Sequence, residues 1–118
     1  MFEPLPTASI FAFVKLLRPR WQLRRVNGRS MHPTLVEGST VLVDTAVTHR
    51  SPPQIGDIVL LQHPYQPSNQ MIKRIINTTE DGRFILRGDN PDSLASTDSR
   101  SFGPVRAELI LGKVTHRF

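Results

Sequence analysis

Glycine and proline interrupt this chain so often that its second half cannot hold a long helix. Its 118 residues include 7 glycines and 10 prolines. These residues separate short apolar runs, at Pro52-Pro53, Pro64, Pro67, Gly88, Pro91 and Gly103-Pro104. Since glycine and proline favour turns, each run between them suits a strand and is too short for the helices of a βαβ fold. A chain of this length forms one domain.

Several of these runs have the composition of β-strands. The predicted strands are Thr40–Asp44, Asp57–Gln62, Gln70–Asn77, Arg83–Arg87 and Leu109–Thr115, and strand-like sequence begins at Trp21. Glu80-Asp81-Gly82 is a typical hairpin turn between two of them. The sequence therefore predicts a mostly β fold, in which short antiparallel strands over residues 21–118 form the core.

Residues 1–20 have a different pattern and form a second predicted unit, an N-terminal helix with a basic arm. Thr7 or Ser9 can cap a helix that ends near Leu17, before Pro19. Its apolar face predicts packing on the domain; the alternative is peripheral contact with a membrane surface, favoured by the arginines that follow. The apolar stretch is far shorter than the roughly 20 residues of a membrane span. We therefore expect a cytoplasmic protein, peripheral at the membrane at most.

Composition limits the chemistry available to this chain. It has no cysteine, which excludes disulfides and thiolate metal sites. The net charge is +5, but the basic residues from Lys15 to Arg29 are not interleaved with aromatic ones apart from Trp21, so we expect no nucleic-acid partner. The histidines lack the spacing of metal ligands and are expected in loops or at the surface: His32, His49, His63 and His116. We predict no metal and no cofactor.

The first candidate for chemistry is Ser30, in the segment Gly28-Arg29-Ser30-Met31-His32-Pro33-Thr34-Leu35. A serine hydroxyl becomes a nucleophile only when a neighbour takes its proton. Gly28 allows close backbone approach before Ser30, and Pro33 fixes the chain after it. The Ser30 N–H can then point at a developing oxyanion. The alternative, from these residues alone, is an ordinary turn serine.

The second candidate is Lys73, which comes late in an apolar run. In a strand it shares a face with Met71 and Ile75. An ammonium group on an apolar face loses hydration, so its pKa falls and a neutral amine that can act as a base forms near pH 7. The alternative is a surface lysine whose stem covers apolar groups. Together, Ser30 and Lys73 suggest a Ser-Lys peptidase.

Five segments of the chain are similar, in their order, to those of the type I signal peptidase family. They are Ser30-Met31-x-Pro33-Thr34-Leu35-x-x-Gly38, Gly56-Asp57-Ile58-Val59, Ile72-Lys73-Arg74-Ile75, Gly88-Asp89-Asn90 and Ser96-Thr97-Asp98-Ser99-Arg100-x-Phe102-Gly103. Each segment is a weak signal alone. Their order and spacing over residues 25–115 make the resemblance specific.

The resemblance implies a signal-peptidase-like catalytic core with a Ser-Lys dyad, in which Ser30 is the nucleophile and Lys73 the general base. It also implies supporting residues: Ser96, which orients the lysine amine; Asp98 and Arg100, which form an ion pair; and Gly28, Met31 and Pro33 of the nucleophile segment. A precursor protein is the implied substrate, bound as an extended strand with small residues before the scissile bond.

Some features depart from the family pattern and narrow the predicted subgroup and substrate. Gly28 stands where some relatives place a hydroxyl residue as a second oxyanion donor, and Ser39 replaces the usual Asp. We also expect the chain to lack the family's membrane anchor and inserted second domain. Its small size and the stretch from Gly88 to Val105 are most similar to the nickel-type superoxide dismutase maturation proteases. This resemblance predicts a serine endopeptidase that removes the N-terminal leader of the nickel superoxide dismutase precursor, with the nickel belonging to the substrate.

Three alternatives stay open. One is a membrane-associated signal peptidase that cleaves export signal peptides and works through the N-terminal helix. Another is a self-cleaving Ser-Lys regulator of the repressor type, which predicts an Ala-Gly or Cys-Gly bond upstream of the serine; neither dipeptide precedes Ser30. The last is a non-catalytic module that binds extended peptides by strand addition.

Overall fold

The structure is a computed structural model that describes residues 20–46, 52–92 and 98–118. Its strands are β1 (Trp21–Arg25), β2 (Thr40–Asp44), β3 (Ile58–Gln62), β4 (Gln70–Thr78), β5 (Phe84–Arg87) and β6 (Ile110–Arg117). A one-turn helix at Ser99–Phe102 and a 3-10 turn at Ala107–Leu109 precede β6. Five of the strands agree with the predicted ranges to within two residues at either end.

The six strands form one antiparallel sheet in the order β1-β2-β6-β3-β4-β5. This confirms the prediction of a mostly β fold of short antiparallel strands. The bounds of β1 were not predicted, and its pattern explains why. Its residues alternate between exposed and half-buried, with none fully buried. In the described part of the chain it pairs only with β2, at the edge of the sheet, which a hydrophobicity pattern does not reveal.

Two apolar clusters lie on opposite faces of the sheet, because successive strand residues point to opposite sides. Within β3, Val59 and Leu61 belong to the first cluster and Leu60 to the second. The first cluster also contains residues of β4 and β5. The second contains Met31 and Leu35, which come from the loop between β1 and β2. The second cluster therefore anchors the loop that carries the candidate nucleophile.

The predicted N-terminal helix lies outside the described residues, as does most of the unit assigned to residues 1–20. In the part of the chain that the structure describes, no helix is long and apolar enough to cross a membrane. The short helix at Ser99–Phe102 was not predicted. It begins where the Asp98 side chain accepts a hydrogen bond from the N–H of Arg100, an N-cap contact that favours a helical turn.

Candidate active site

Ser30 lies in the loop between β1 and β2. Met31 and Leu35 of this loop are 1% and 3% exposed and pack in the second cluster. Gly28 has a φ of 77°, a conformation that favours glycine, so the chain turns sharply just before Ser30. Ser30 itself is only half-buried. The apolar residues thus hold the loop while the serine stays accessible.

Lys73 lies in β4 and shares its face with Met71 and Ile75, as the strand periodicity predicts. Its side chain is only 4% exposed. Burial lowers the pKa of Lys73 from its ordinary 10.5, because the charged form loses hydration. The negative charge of Asp98 acts to raise this pKa and the positive charge of Arg100 to lower it, and the net shift is downward. Neutral amine is therefore more abundant near pH 7 than in an exposed lysine.

Ser30 and Lys73 line one cleft of about 420 Å³. One wall consists of residues 24–31, at the end of β1 and the start of the loop. The other includes residues 69–73, at the start of β4. Strands β1 and β4 are not neighbours in the sheet, so only the tertiary fold brings these walls together. A hydroxyl group and a lysine with a lowered pKa in one cleft are the components of a nucleophile and its base.

The turn Gly88-Asp89-Asn90, directly after β5, holds the backbone around Ser30. The backbone N–H of Asn90 donates to the carbonyl oxygen of Ser30 at 2.9 Å. The Nδ2 of Asn90 donates to the carbonyl oxygen of Arg29, also at 2.9 Å. A Cβ atom on Gly88 would lie 2.5 Å from the Ser30 carbonyl oxygen, so this approach requires glycine. The candidate nucleophile is thus positioned by a turn far along the sequence.

An ion pair that was not predicted from the sequence joins this turn to β4. Arg74, adjacent to Lys73, donates through Nε and Nη2 to both carboxylate oxygens of Asp89 at 2.8 Å. Its Nη1 donates to the carbonyl oxygen of Gly56 at 2.7 Å. The Arg74 hydrogen bonds hold the pKa of Asp89 below its ordinary value, and a hydrogen bond from Thr34 acts in the same direction. The available signal was the opposite charge of Arg74 and Asp89, which both occur in the family-like segments.

Asp98 and Arg100 form the ion pair that the resemblance implies. Asp98 is fully buried. Arg100 donates from Nε and Nη2 to its two oxygens, at 3.1 and 3.0 Å. Burial acts to raise the pKa of Asp98, but hydrogen bonds from Arg100 and from the backbone N–H of Gly88 outweigh it, and the pKa lies below its ordinary value. The carboxylate therefore stays ionised near Lys73, where it influences the lysine pKa.

Among the described strands, the start of β4 has an edge without a pairing partner, and its first residues, Gln70 to Lys73, line the cleft. Pairing of β4 with β5 begins at Arg74, whereas pairing with β3 extends back to Gln70. The backbone of Ile75 bonds to the β3 side. Because bonding direction alternates along a strand, the N–H and C=O groups of Gln70 and Ile72 point to the other side. This edge can accept an extended peptide.

The remaining predicted residues fall in different places. Ser96 lies outside the described residues. Pro33 is exposed and follows a cis peptide bond. His63 is a buried loop residue whose Nδ1 accepts backbone hydrogen bonds from Tyr65 and Gln66, a structural role. Within residues 20–46, 52–92 and 98–118, no group of acidic or histidine side chains is arranged to hold a metal ion.

A family model and several known proteins match this chain, and all of them are named as peptidases or proteases. The family model described as "Signal peptidase, peptidase S26" matches residues 5–81. The chain is 34% identical to mitochondrial inner membrane protease subunit 1 of Xenopus tropicalis, over 77% of its own length. It is 34% identical over 78% of its length to mitochondrial ATP-independent inner membrane protease subunit 1a of Arabidopsis thaliana. It is also 30% identical, over 97% of its length, to inner membrane protease subunit 1 of Schizosaccharomyces pombe.

These relatives contradict the expected location and support the broader family resemblance. The matches span 65% of the Xenopus protein, 67% of the Arabidopsis protein and 84% of the S. pombe protein. The cytoplasmic location was a wrong prediction, because the relatives are named for the mitochondrial inner membrane. They are also not nickel-type superoxide dismutase maturation proteases, so the narrower resemblance has no support from them. Since the family model covers more than half of the chain, this protein belongs to the signal peptidase family, peptidase S26.

Proposed function

We propose that this chain is a serine endopeptidase in which Ser30 is the nucleophile and Lys73 the general base. The observation that carries the proposal is that Ser30 and Lys73 line the same cleft, with the pKa of Lys73 lowered by burial. The family match and the protease names of the relatives support the same class of reaction.

The proposed reaction follows from the chemistry of these two groups. The neutral amine of Lys73 takes the proton of the Ser30 hydroxyl as Oγ bonds to the scissile carbonyl carbon, and the carbonyl electron pair moves onto oxygen. The Ser30 N–H stabilises this oxyanion. When the intermediate collapses, the C–N bond breaks and the lysine proton goes to the leaving amine. Water then hydrolyses the acyl-enzyme with Lys73 again acting as base.

The substrate is proposed to bind as an extended strand on the unpaired edge of β4. The outward N–H and C=O groups of Gln70 and Ile72 supply main-chain hydrogen bonds, as in strand addition. The strand leads directly to Lys73, so the scissile bond of a peptide in this register lies near Ser30. Small side chains before that bond are the expectation from the family resemblance.

The proposed substrates are precursor proteins whose N-terminal leader is removed at a membrane. The relatives named as inner membrane proteases support this class. Residues 21–118 are proposed as the catalytic domain, and residues 1–20 as the unit that approaches the membrane. The nickel superoxide dismutase precursor stays a prediction that rests on the stretch from Gly88 to Val105.

Cleavage assays with the purified chain test this proposal. One precursor carries an export-type or inner-membrane leader in liposomes, and the other is the nickel superoxide dismutase precursor; intact mass records each product. We expect Ser30→Ala and Lys73→Arg each to lower kcat by at least about 10³-fold, because one lacks the nucleophile and the other cannot lose its proton. The control variants are Ser68→Ala, at an exposed turn, and Lys113→Arg, which retains its charge beside Asp57.

The outcomes separate the candidate functions. Cleavage at one bond by the wild type and both controls, lost in the two site variants, supports the dyad. Full activity in Lys73→Arg would place the base elsewhere. Binding of both precursors without cleavage would favour the non-catalytic peptide-binding module.

A further inference from the structure

We infer that Asn90 is a positioning residue that sets the direction of the Ser30 backbone N–H, the donor that stabilises the oxyanion. This inference rests on the proposed function. It assigns a role to the side-chain amide of Asn90, which lies 60 positions after Ser30 in the chain and outside the proposed dyad.

Asn90 contacts both peptide groups that flank the Cα atom of Ser30. Its Nδ2 donates to the carbonyl oxygen of Arg29 at 2.9 Å. Its backbone N–H donates to the carbonyl oxygen of Ser30 at 2.9 Å. The N–H of His32 adds a second hydrogen bond to the Arg29 carbonyl at 3.1 Å. Both peptide planes around the nucleophile are therefore held, mainly by one residue.

The Arg29 carbonyl and the Ser30 N–H belong to the same peptide group. That peptide is trans, so its C=O and N–H point in opposite directions in one plane. Fixing the carbonyl toward Asn90 therefore fixes the N–H away from it. The Ser30 N–H donates to no acceptor among the described residues. It is thus held in one direction and left available to a ligand in the cleft.

Asn90 is itself well anchored. Its Oδ1 accepts a hydrogen bond from the N–H of Asp92 at 3.0 Å, which orients the amide so that Nδ2 points at Arg29. The neighbouring Asp89 is tied to Arg74 by two hydrogen bonds. An aspartate at position 90 can keep the bond from Asp92 but has no hydrogen to donate to the Arg29 carbonyl.

The test compares Asn90→Asp with Asn77→Asp in the full chain. Asn77 is exposed in β4, and its Oδ1 also accepts a backbone hydrogen bond, from Thr78 at 2.9 Å. The two variants therefore make the same change of charge and keep a similar local contact, and only the first removes a donor to the loop of Ser30. Each is assayed for kcat and KM on a cleaved precursor peptide and for its thermal midpoint.

We expect Asn90→Asp to lower kcat about 10- to 100-fold with little change in KM, less than the 10²- to 10³-fold loss on removing an oxyanion donor outright. Asn77→Asp should retain wild-type kcat. A peptide aldehyde and its matching alcohol give a second readout. Ser30 Oγ adds to the aldehyde carbon, its proton passes to Lys73, and the carbonyl oxygen becomes the oxyanion, whereas the alcohol forms no such adduct. The variant should lose affinity for the aldehyde and not for the alcohol.

A measurement on the wild type removes any dependence on the folding of the variants. In nitrogen-15-labelled protein, the Ser30 amide proton should move downfield when the aldehyde binds. The inference is overturned if that signal does not move, or if Asn90→Asp keeps the wild-type kcat and aldehyde affinity. It is also overturned if aldehyde and alcohol lose affinity equally. Failure of the wild type to cleave any precursor would instead overturn the proposed function.

Discussion

At the scale of single residues, two charged groups shift the pKa of Lys73 in opposite directions. Burial is the largest influence and lowers the pKa; Asp98 raises it and Arg100 lowers it. The ion pair between Asp98 and Arg100 therefore adds two opposing, smaller influences on the pKa of the proposed base. Only Asp98 of this pair is buried; the Arg100 side chain is 48% exposed, so solvent screens the attraction between them.

Removing the charge of Arg100 and removing the charge of Asp98 should move the pH profile of kcat/KM in opposite directions. In Arg100→Gln the repulsion is lost and the pKa of Lys73 rises, so the acid limb of kcat/KM moves to higher pH. In Asp98→Asn the attraction is lost, and the limb moves to lower pH. Rate profiles over a pH series measure both shifts, with Arg106→Gln at an exposed position as the control. Identical profiles in all three variants would argue against Lys73 as the titrating base.

At the scale of elements, β4 combines the candidate base with the edge proposed to bind substrate. At the end nearest the cleft, β4 extends beyond its partner β5, because pairing with β5 begins at Arg74. The outward groups of Gln70 and Ile72 stay unpaired by that neighbour. The sequence predicted β4 and the face of Lys73 but not the open edge, because a strand's period is local and the length of its neighbour is not.

Gln70→Pro tests the binding edge. Proline removes the outward N–H of Gln70, and it is tolerated at the first position of a strand. One lost hydrogen bond is worth about 0.5–1.5 kcal/mol, so KM should rise about twofold to tenfold with a smaller effect on kcat. Steady-state kinetics on an extended peptide measures this. Gln70→Ala keeps the N–H and should match the wild type; an equal rise in both variants would assign the effect to the side chain.

At the scale of the whole molecule, the burial of Lys73 lowers the stability of the fold. Lys73 occupies a face otherwise made of Met71, Ile75 and the first apolar cluster, and its charged form loses hydration there. A residue kept for its chemistry at the expense of stability is common at active sites.

Lys73→Met should therefore abolish activity and raise the free energy of unfolding at neutral pH. The pKa of Lys73 in the folded protein lies below its ordinary value of 10.5. At pH values between these two pKa values, the unfolded wild type binds more protons than the folded one, so wild-type stability rises with pH. The advantage of Lys73→Met should accordingly shrink as pH approaches 10.5. Denaturant unfolding of both proteins at several pH values measures the difference. A constant difference would mean that Lys73 is not desolvated in the fold.

The sequence by itself determined the local features of this protein. Short apolar runs between glycines and prolines specified strands such as Thr40–Asp44, and strand alternation specified the buried face of Lys73. Gly28 marked the sharp turn before Ser30. Only the tertiary structure decided the cleft between β1 and β4, the Arg74–Asp89 ion pair and the hold of Asn90 on both peptide groups of Ser30. These are contacts between distant parts of the chain, and neither periodicity nor local composition carries information about which distant groups will meet.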